Sequence, residues 1–180
     1  MTLHVFVDES RRNKHYLLAA ALVEPGELHR LRKLLRGMLL PGQREVHFKK
    51  ETPSRRKAVI SRLVDEPLEV WIYHARCSRG EERARRLCVA QLIEDSLDIQ
   101  AQRLVLDSRA VRDEDDRFVI RRALGKWPRA TGLVYEHLDS TKDELLWIAD
   151  AVAWCYGAGG DWHRRIEPIL AKIVDLRDKP

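Results

Sequence analysis

The apolar residues of the chain follow two patterns, short continuous runs and stripes with helical spacing. Runs of branched and aromatic residues bounded by turn residues are typical of strands in a sheet that is buried. They predict strands at residues 3–8, 16–23, 68–77, 104–107 and 131–138. The first two runs are separated only by the polar stretch 9–14, which predicts an antiparallel hairpin.

Apolar residues three and four positions apart predict the helices. The expected helices cover residues 28–38, 53–64, 80–101, 118–124 and 141–157, followed by a last amphipathic helix near 166–176. Residues 44–50 form either an edge strand or a structured loop, and residues 109–117 are expected to be a charged loop. The order of elements favours an α/β fold, a mixed sheet flanked by helices, in one domain spanning residues 1–180.

One predicted helix has an unusual composition. Two overlapping capping-box patterns predict its start at residues 140–141, and residues 145–158 are all apolar or small except Asp150. A helix that is apolar on every side is buried, and a buried carboxylate without a partner loses a large hydration energy. Asp150 is therefore expected to be neutral, to pair with a cation such as Arg164, or to bind a metal.

Three other acidic residues stand where they could meet Asp150. Asp8 and Asp107 each follow an apolar run at the end of a predicted strand, and Glu45 precedes His47 in a short segment. Carboxylates that converge from separate elements suit Mg²⁺ or Mn²⁺, which prefer oxygen ligands. Two such ions about 4 Å apart can drive phosphodiester cleavage. The alternative for each acid is structural, because an Asp at the end of a strand is often a turn former or a helix cap.

Four motifs lie along the chain in order: VFVDES at 5–10, EVHFKKE at 45–51, LVLDSR at 104–109 and LWIADAVAW at 146–154. Together they resemble a large bacterial and phage family that is labelled a domain of unknown function and described as ribonuclease H-like. The resemblance covers nearly the whole chain. Each motif is short, so the specificity comes from the set.

The resemblance implies a ribonuclease H-like fold with a divalent-metal nuclease centre. It assigns metal binding to the acids of the four motifs, Asp8, Glu45, Asp107 and Asp150. Two positions depart from the family pattern: Ile148 stands where Gln is frequent, and Arg11 stands where Gly commonly follows the DES motif. The first change removes a polar group near the site, and the second bears on the geometry of the hairpin.

Basic residues adjoin two of the acids. The net charge of +5 over 180 residues is compatible with a nucleic-acid partner. The residues expected to contact substrate phosphates are Arg11, Arg12, His47, Lys49 and Lys50. Their alternative is a solvated surface in a charge-rich protein, which is the preferred interpretation for the basic clusters at 83–86 and 121–126.

Several classes of protein are disfavoured. The three cysteines are far apart and in apolar surroundings, which favours reduced core residues over disulfides or a zinc site. No apolar run approaches the roughly 20 residues of a membrane span, and the opening run is too short for a signal peptide, so we expect a cytoplasmic protein without membrane contact. Motifs for nucleotide cofactors, catalytic triads and zincins are absent. The pattern does not indicate an oligomeric state.

The sequence therefore predicts a Mg²⁺- or Mn²⁺-dependent nuclease acting on RNA or DNA. The alternative is a non-catalytic module with the same fold that binds nucleic acid or a protein partner. A PIN-like nuclease ranks below both, because that fold requires a helix directly after the first strand and residues 16–23 form a second strand-like run.

Overall fold

The computed structural model describes residues 2–125 and 132–179. The strands in these ranges are β1 (His4–Arg12), β2 (His15–Val23), β3 (Glu69–Arg76), β4 (Arg103–Asp107), β5 (Val134–Leu138) and β6 (Leu170–Asp175). The helices are α1 (Leu28–Arg36), α2 (Pro53–Val64), α3 (Glu81–Asp98), α4 (Asp113–Gly125), α5 (Leu146–Ala158) and α6 (Gly160–Ile166). The predicted helix breaker at Trp127 and Pro128, the basic residue Lys126 and the expected strand start at residue 131 lie outside the described residues.

The six strands form one mixed sheet in the order β5-β4-β1-β2-β3-β6. β2 pairs antiparallel with both β1 and β3, whereas β4 is parallel to β1 and β5, and β6 is parallel to β3. Helices cover both faces of the sheet. The predicted α/β class and mixed sheet are confirmed; that the chain is a single domain stays a prediction.

β1 and β2 form the predicted antiparallel hairpin, with a much shorter turn than expected. Residues 9–12 belong to β1 and pair with residues 15–18 of β2, so only Asn13 and Lys14 form the turn. Asn13 has a φ of 52°, and a positive φ at the first turn residue matches the twist of a two-residue hairpin. The strand geometry therefore continues past Asp8 through Ser10 to Arg12.

Alternation along the strands divides the core into two layers. Phe6 and Val105 face the layer that contains α1, α2, α5 and α6, while Val7 faces the layer that contains α3 and α4. Because successive side chains of a strand point to opposite faces, Asp8 shares the face of Phe6, and Asp107 shares that of Val105. Asp8, in the middle of β1, and Asp107, at the end of β4, consequently point toward α5.

Two helices begin several residues away from the starts predicted for them. α4 begins at Asp113, inside the stretch predicted to be a loop; acidic residues in its first turn suit the positive end of the helix dipole. α5 begins at Leu146 rather than residue 141, because Ser140, Thr141 and the residues after them bond elsewhere. Thr141, for example, donates its N–H to Asp139 at 2.8 Å instead of starting a helix.

The prediction of a last helix near residues 166–176 was wrong. α6 ends at Ile166, two residues before Pro168, and the chain then forms β6 along the edge of β3. Proline disfavours continuation of a helix, and the open edge of β3 supplies backbone partners for residues 170–175.

Residues 44–50 form no strand; they contain a 3-10 turn at Phe48–Lys50. Among the described residues, no helix is long and apolar enough to cross a membrane.

Candidate active site

The four predicted acids line one cavity of about 510 Å³. They come from four parts of the chain: Asp8 from β1, Asp107 from the last position of β4, Asp150 from α5, and Glu45 from the loop before the 3-10 turn. The parallel register of β1 and β4 pairs Val7 with Leu106, which puts the two following aspartates side by side. α5 crosses the same face and adds Asp150.

Asp8 is the most buried of these acids, with 8% of its surface exposed. Its Oδ1 accepts the N–H of Glu9 at 2.7 Å and lies 3.7 Å from an Arg109 nitrogen. Burial raises the pKa of Asp8 well above its usual value, and the charges of Asp150 and Asp107 raise it further. The backbone bond and Arg109 offset only part of this effect.

Asp107 is half-buried, and its carboxylate makes no hydrogen bond or ion pair with any described residue. Burial, together with the nearby charges of Asp139, Asp150 and Glu45, raises the pKa of Asp107 to about 6, although Arg109 acts in the opposite direction. A carboxylate with elevated pKa and unused oxygens is one that a cation would stabilise. Asp107 is therefore an acid that a bound cation would keep ionised.

Asp150 is held by the 3-10 turn of the preceding motif. Its Oδ2 accepts the backbone N–H of Phe48 at 2.8 Å and lies 3.5 Å from Nδ1 of His47. The hydrogen bond to Asp150 raises the pKa of His47, while burial acts against it. Arg164, the expected cationic partner, pairs instead with Asp161 at 2.7 Å. The EVHFKKE and LWIADAVAW motifs thus meet at one carboxylate.

Glu45 is positioned by the segment that was predicted to cap α5. The hydroxyl of Ser140 donates to Glu45 Oε2, and the indole N–H of Trp147 donates to the carbonyl of Ser140 at 2.8 Å. Ser140 also lines the cavity. The predicted capping box therefore does not form, and its serine fixes an acid of the site instead.

The basic residues divide into two groups. Arg11, His47 and Lys49 line the cavity, whereas Arg12 and Lys50 do not. Arg11 pairs with Glu81 at 2.6 Å. The guanidinium of Arg12 lies over a tryptophan ring at the cavity wall, so three of the five predicted substrate contacts reach the cavity itself.

Sequence reasoning missed Arg109. Its guanidinium lies 3.2 Å from Glu9 and 3.7 Å from Asp8, and it lines the cavity. It is the cation nearest to Asp8 and lowers the pKa of both Asp8 and Asp107. Its place two residues after Asp107, inside the LVLDSR motif, was the available signal.

The donor set suits a hard divalent cation, because it consists of carboxylate oxygens. Burial and then the neighbouring negative charges raise the pKa of Asp8 and Asp107. Asp8, Asp107 and Asp150 are the residues that could hold such an ion, with Glu45 beside them. Within residues 2–125 and 132–179, no group of three or more His, Cys, Asp or Glu side chains is arranged to hold a metal ion. The acids converge on a cavity without forming a closed set of ligands.

The fold is similar to that of an archaeal ribonuclease HII, solved in the PCNA:RNase HII complex from Archaeoglobus fulgidus. The similarity has a TM-score of 0.59 at 18% sequence identity and covers 92% of this chain and 75% of that one. No family model matches the chain, and no curated protein does. The domain family named from the motifs is therefore not confirmed, but the predicted fold is: the chain has a ribonuclease H-like fold.

Proposed function

We propose that this protein is a divalent-metal-dependent nuclease that hydrolyses phosphodiester bonds in RNA or DNA. The observation that carries the proposal is the convergence of Asp8, Asp107 and Asp150 on one cavity, where the pKa of the two strand acids is raised. The ribonuclease H-like fold supports it, since the fold neighbour is a ribonuclease.

Asp8, Asp107 and Asp150 would hold Mg²⁺ or Mn²⁺, with Glu45 as a fourth ligand or as the group that orients water. A bound divalent ion supplies an activated water and stabilises the leaving oxygen. The backbone N–H of Phe48 and the ring of His47 fix the direction of the Asp150 carboxylate. Preorganised ligands of this kind avoid the cost of reordering when the ion binds.

The basic residues would bind the substrate. Lys49 and Arg11 line the cavity and can neutralise phosphate charge next to the acids. His47, with a raised pKa, is placed to donate a hydrogen bond to a phosphate or to the leaving oxygen. Arg12 and Lys50 stand outside the cavity and would contact the strand further away.

The test is cleavage of single-stranded RNA, single-stranded DNA and their hybrid in Mg²⁺ or Mn²⁺. Asp150→Asn should lower the rate by more than about 100-fold, because changing even the partners of metal ligands costs about 10- to 100-fold. The asparagine keeps an oxygen that can accept the Phe48 N–H but removes the charge. Asp178→Asn is the matched control, since that side chain is 93% exposed. If Asp150→Asn cleaves as fast as the control, Asp150 has no role in the reaction.

A non-catalytic nucleic-acid-binding module is the second candidate, and the lack of a closed ligand set among the described residues favours it. Thermal unfolding distinguishes the two. A ligand of the native state raises the midpoint, so Mn²⁺ at millimolar concentration should raise it for the nuclease, and less for Asp150→Asn. An unchanged midpoint combined with tight nucleic-acid binding would support the binding module.

A further inference from the structure

In the cavity wall near the acids, Trp154 makes cation–π contacts with Arg12 and Arg56. Trp154, one turn after Asp150 on α5, lines the cavity. The guanidinium carbons of Arg12 and Arg56 lie 5.0 and 4.2 Å from the centre of its ring. Both guanidinium groups therefore lie within cation–π distance of one ring.

The contacts of the two arginines with the described residues leave donors unused. Arg56 donates from Nε and Nη2 to the carbonyls of Phe48 and Lys49, at 2.9 and 2.6 Å. Arg12 donates no hydrogen bond to a described residue, and neither guanidinium has a carboxylate partner there. The adjacent Arg11, by contrast, is paired with Glu81. The donors left over at Arg12 and Arg56 are therefore open to an anion.

The tryptophan holds both arginines in place. Its ring makes edge contacts with Trp162 and Phe48, at centroid distances of 5.4 and 5.3 Å, and stacking on a fixed ring orients a guanidinium. A Cβ at Gly157 would lie 3.0 Å from Cδ1 of Leu17 and 3.3 Å from Cδ and Nε of Arg12, so the glycine leaves room for both side chains. Arg12 and Arg56 are thus preorganised rather than solvated at random.

We propose that Arg12 and Arg56, seated on Trp154, form a clamp for a backbone phosphate that flanks the reacting phosphodiester of a nucleic-acid strand. The inference rests on the proposed function and deepens it by naming the substrate class, a polynucleotide strand rather than a mononucleotide or another small diester. Guanidinium groups bind phosphate through paired donors, and neither arginine is paired with a carboxylate among residues 2–125 and 132–179.

The distance from the acids supports a flanking position. Arg12 follows Asp8 by four residues on β1, about 13 Å along a strand, and Trp154 follows Asp150 by four residues on α5, about 6 Å along a helix. Both elements therefore run from the acids to the clamp. These offsets of about 6 and 13 Å along the elements put the clamp beyond the reacting phosphodiester, where a neighbouring phosphate of the same strand would lie.

The test separates binding from cleavage. Binding of a labelled single strand of about 20 nucleotides, longer than one binding site, is measured by fluorescence anisotropy in EDTA across a series of salt concentrations. Arg12→Ala should weaken binding by about tenfold and reduce the salt slope by about 0.7, the value for one lost phosphate contact on a single strand. Arg12→Lys should restore part of the affinity. The exposed Arg83→Ala, on α3 across the sheet, is the control and should bind as the unaltered protein does.

Cleavage with Mn²⁺ then compares the same strand with bis(p-nitrophenyl) phosphate, a minimal diester. Arg12→Ala should lose more activity on the strand than on the minimal diester. If Arg12→Ala binds the strand as tightly as Arg83→Ala and with the same salt slope, the clamp is wrong. If the unaltered protein cleaves neither substrate, the proposed nuclease function fails, while the binding experiment still judges the clamp. Arg12 is the residue to change first, because Arg56 also supports the backbone of the 3-10 turn.

Discussion

Replacement of Asp107 by Asn should make the metal-free protein more stable at neutral pH. The raised pKa of Asp107, about 6 against an ordinary 3.8, means that the folded state disfavours its ionised form. The native state therefore holds a proton on this group more tightly than the unfolded chain does. Its stabilising contribution is complete below pH 4 and is lost as the pH rises through about 6. Asn carries no charge, so the folded state does not lose stability at this position when the pH rises.

The magnitude follows from the pKa difference. One pKa unit corresponds to about 1.4 kcal/mol, so the full difference corresponds to about 3 kcal/mol. Because the side chain is only half-buried, screening by solvent reduces the expected gain to about 1 to 2 kcal/mol. In a domain of this size that is a rise in Tm of about 2 to 8 °C. Asn loses no hydrogen bond, since the Asp107 carboxylate makes none with a described residue.

The assay is thermal unfolding in EDTA at several pH values from 4 to 8, with Asp178→Asn as the control for an exposed carboxylate. The gain for Asp107→Asn should be largest above pH 7 and should vanish near pH 4. Saturating Mn²⁺ should reverse the order, because the ion stabilises the unaltered protein more than the variant. A variant that is no more stable than the unaltered protein at pH 7.5, or a gain that does not change with pH, would refute the reasoning.

Two further predictions concern the neighbours of these acids. Asp150→Asn should lower the pKa of His47, because the hydrogen bond to Asp150 is the main cause of its elevation; an NMR titration that shows the same pKa in both proteins would contradict this. Arg85→Ala should cost about 1.5 to 3 kcal/mol in urea unfolding, the value of a hydrogen bond to a charged group, since Arg85 is the buried partner of both Glu9 and Asp116, at 3.1 and 2.6 Å. The loss is limited because Glu9 also pairs with Arg109 and Asp116 with His137. A loss below about 1 kcal/mol would show that the two carboxylates are neutralised in another way.

Local patterns singled out four acids that the structure brings to one cavity, because apolar runs and the faces of strands are encoded locally; their role in a site stays a prediction. An apolar run that ends in an acid predicts where β1 and β4 deliver Asp8 and Asp107, and alternation within each strand sets the face. Asp150 was conspicuous because it is the one charge in an apolar helix. The same local reasoning failed at residues 140–145, where the capping pattern is satisfied in other ways, and at 170–175, where a helical spacing of apolar residues occurs in a strand.

The sequence by itself determined the mixed α/β class and the hairpin at the start of the chain, and it singled out four of the acids that line the cavity, because strand alternation, apolar runs and turn residues act over a few positions. Only the tertiary structure decided what those acids contact. Phe48 and Asp150 are 102 residues apart, and Ser140 and Glu45 are 95 apart, so no local pattern predicts either bond. Such contacts depend on the order of strands in the sheet, which decides that β1 lies beside β4 and that α5 covers both of them.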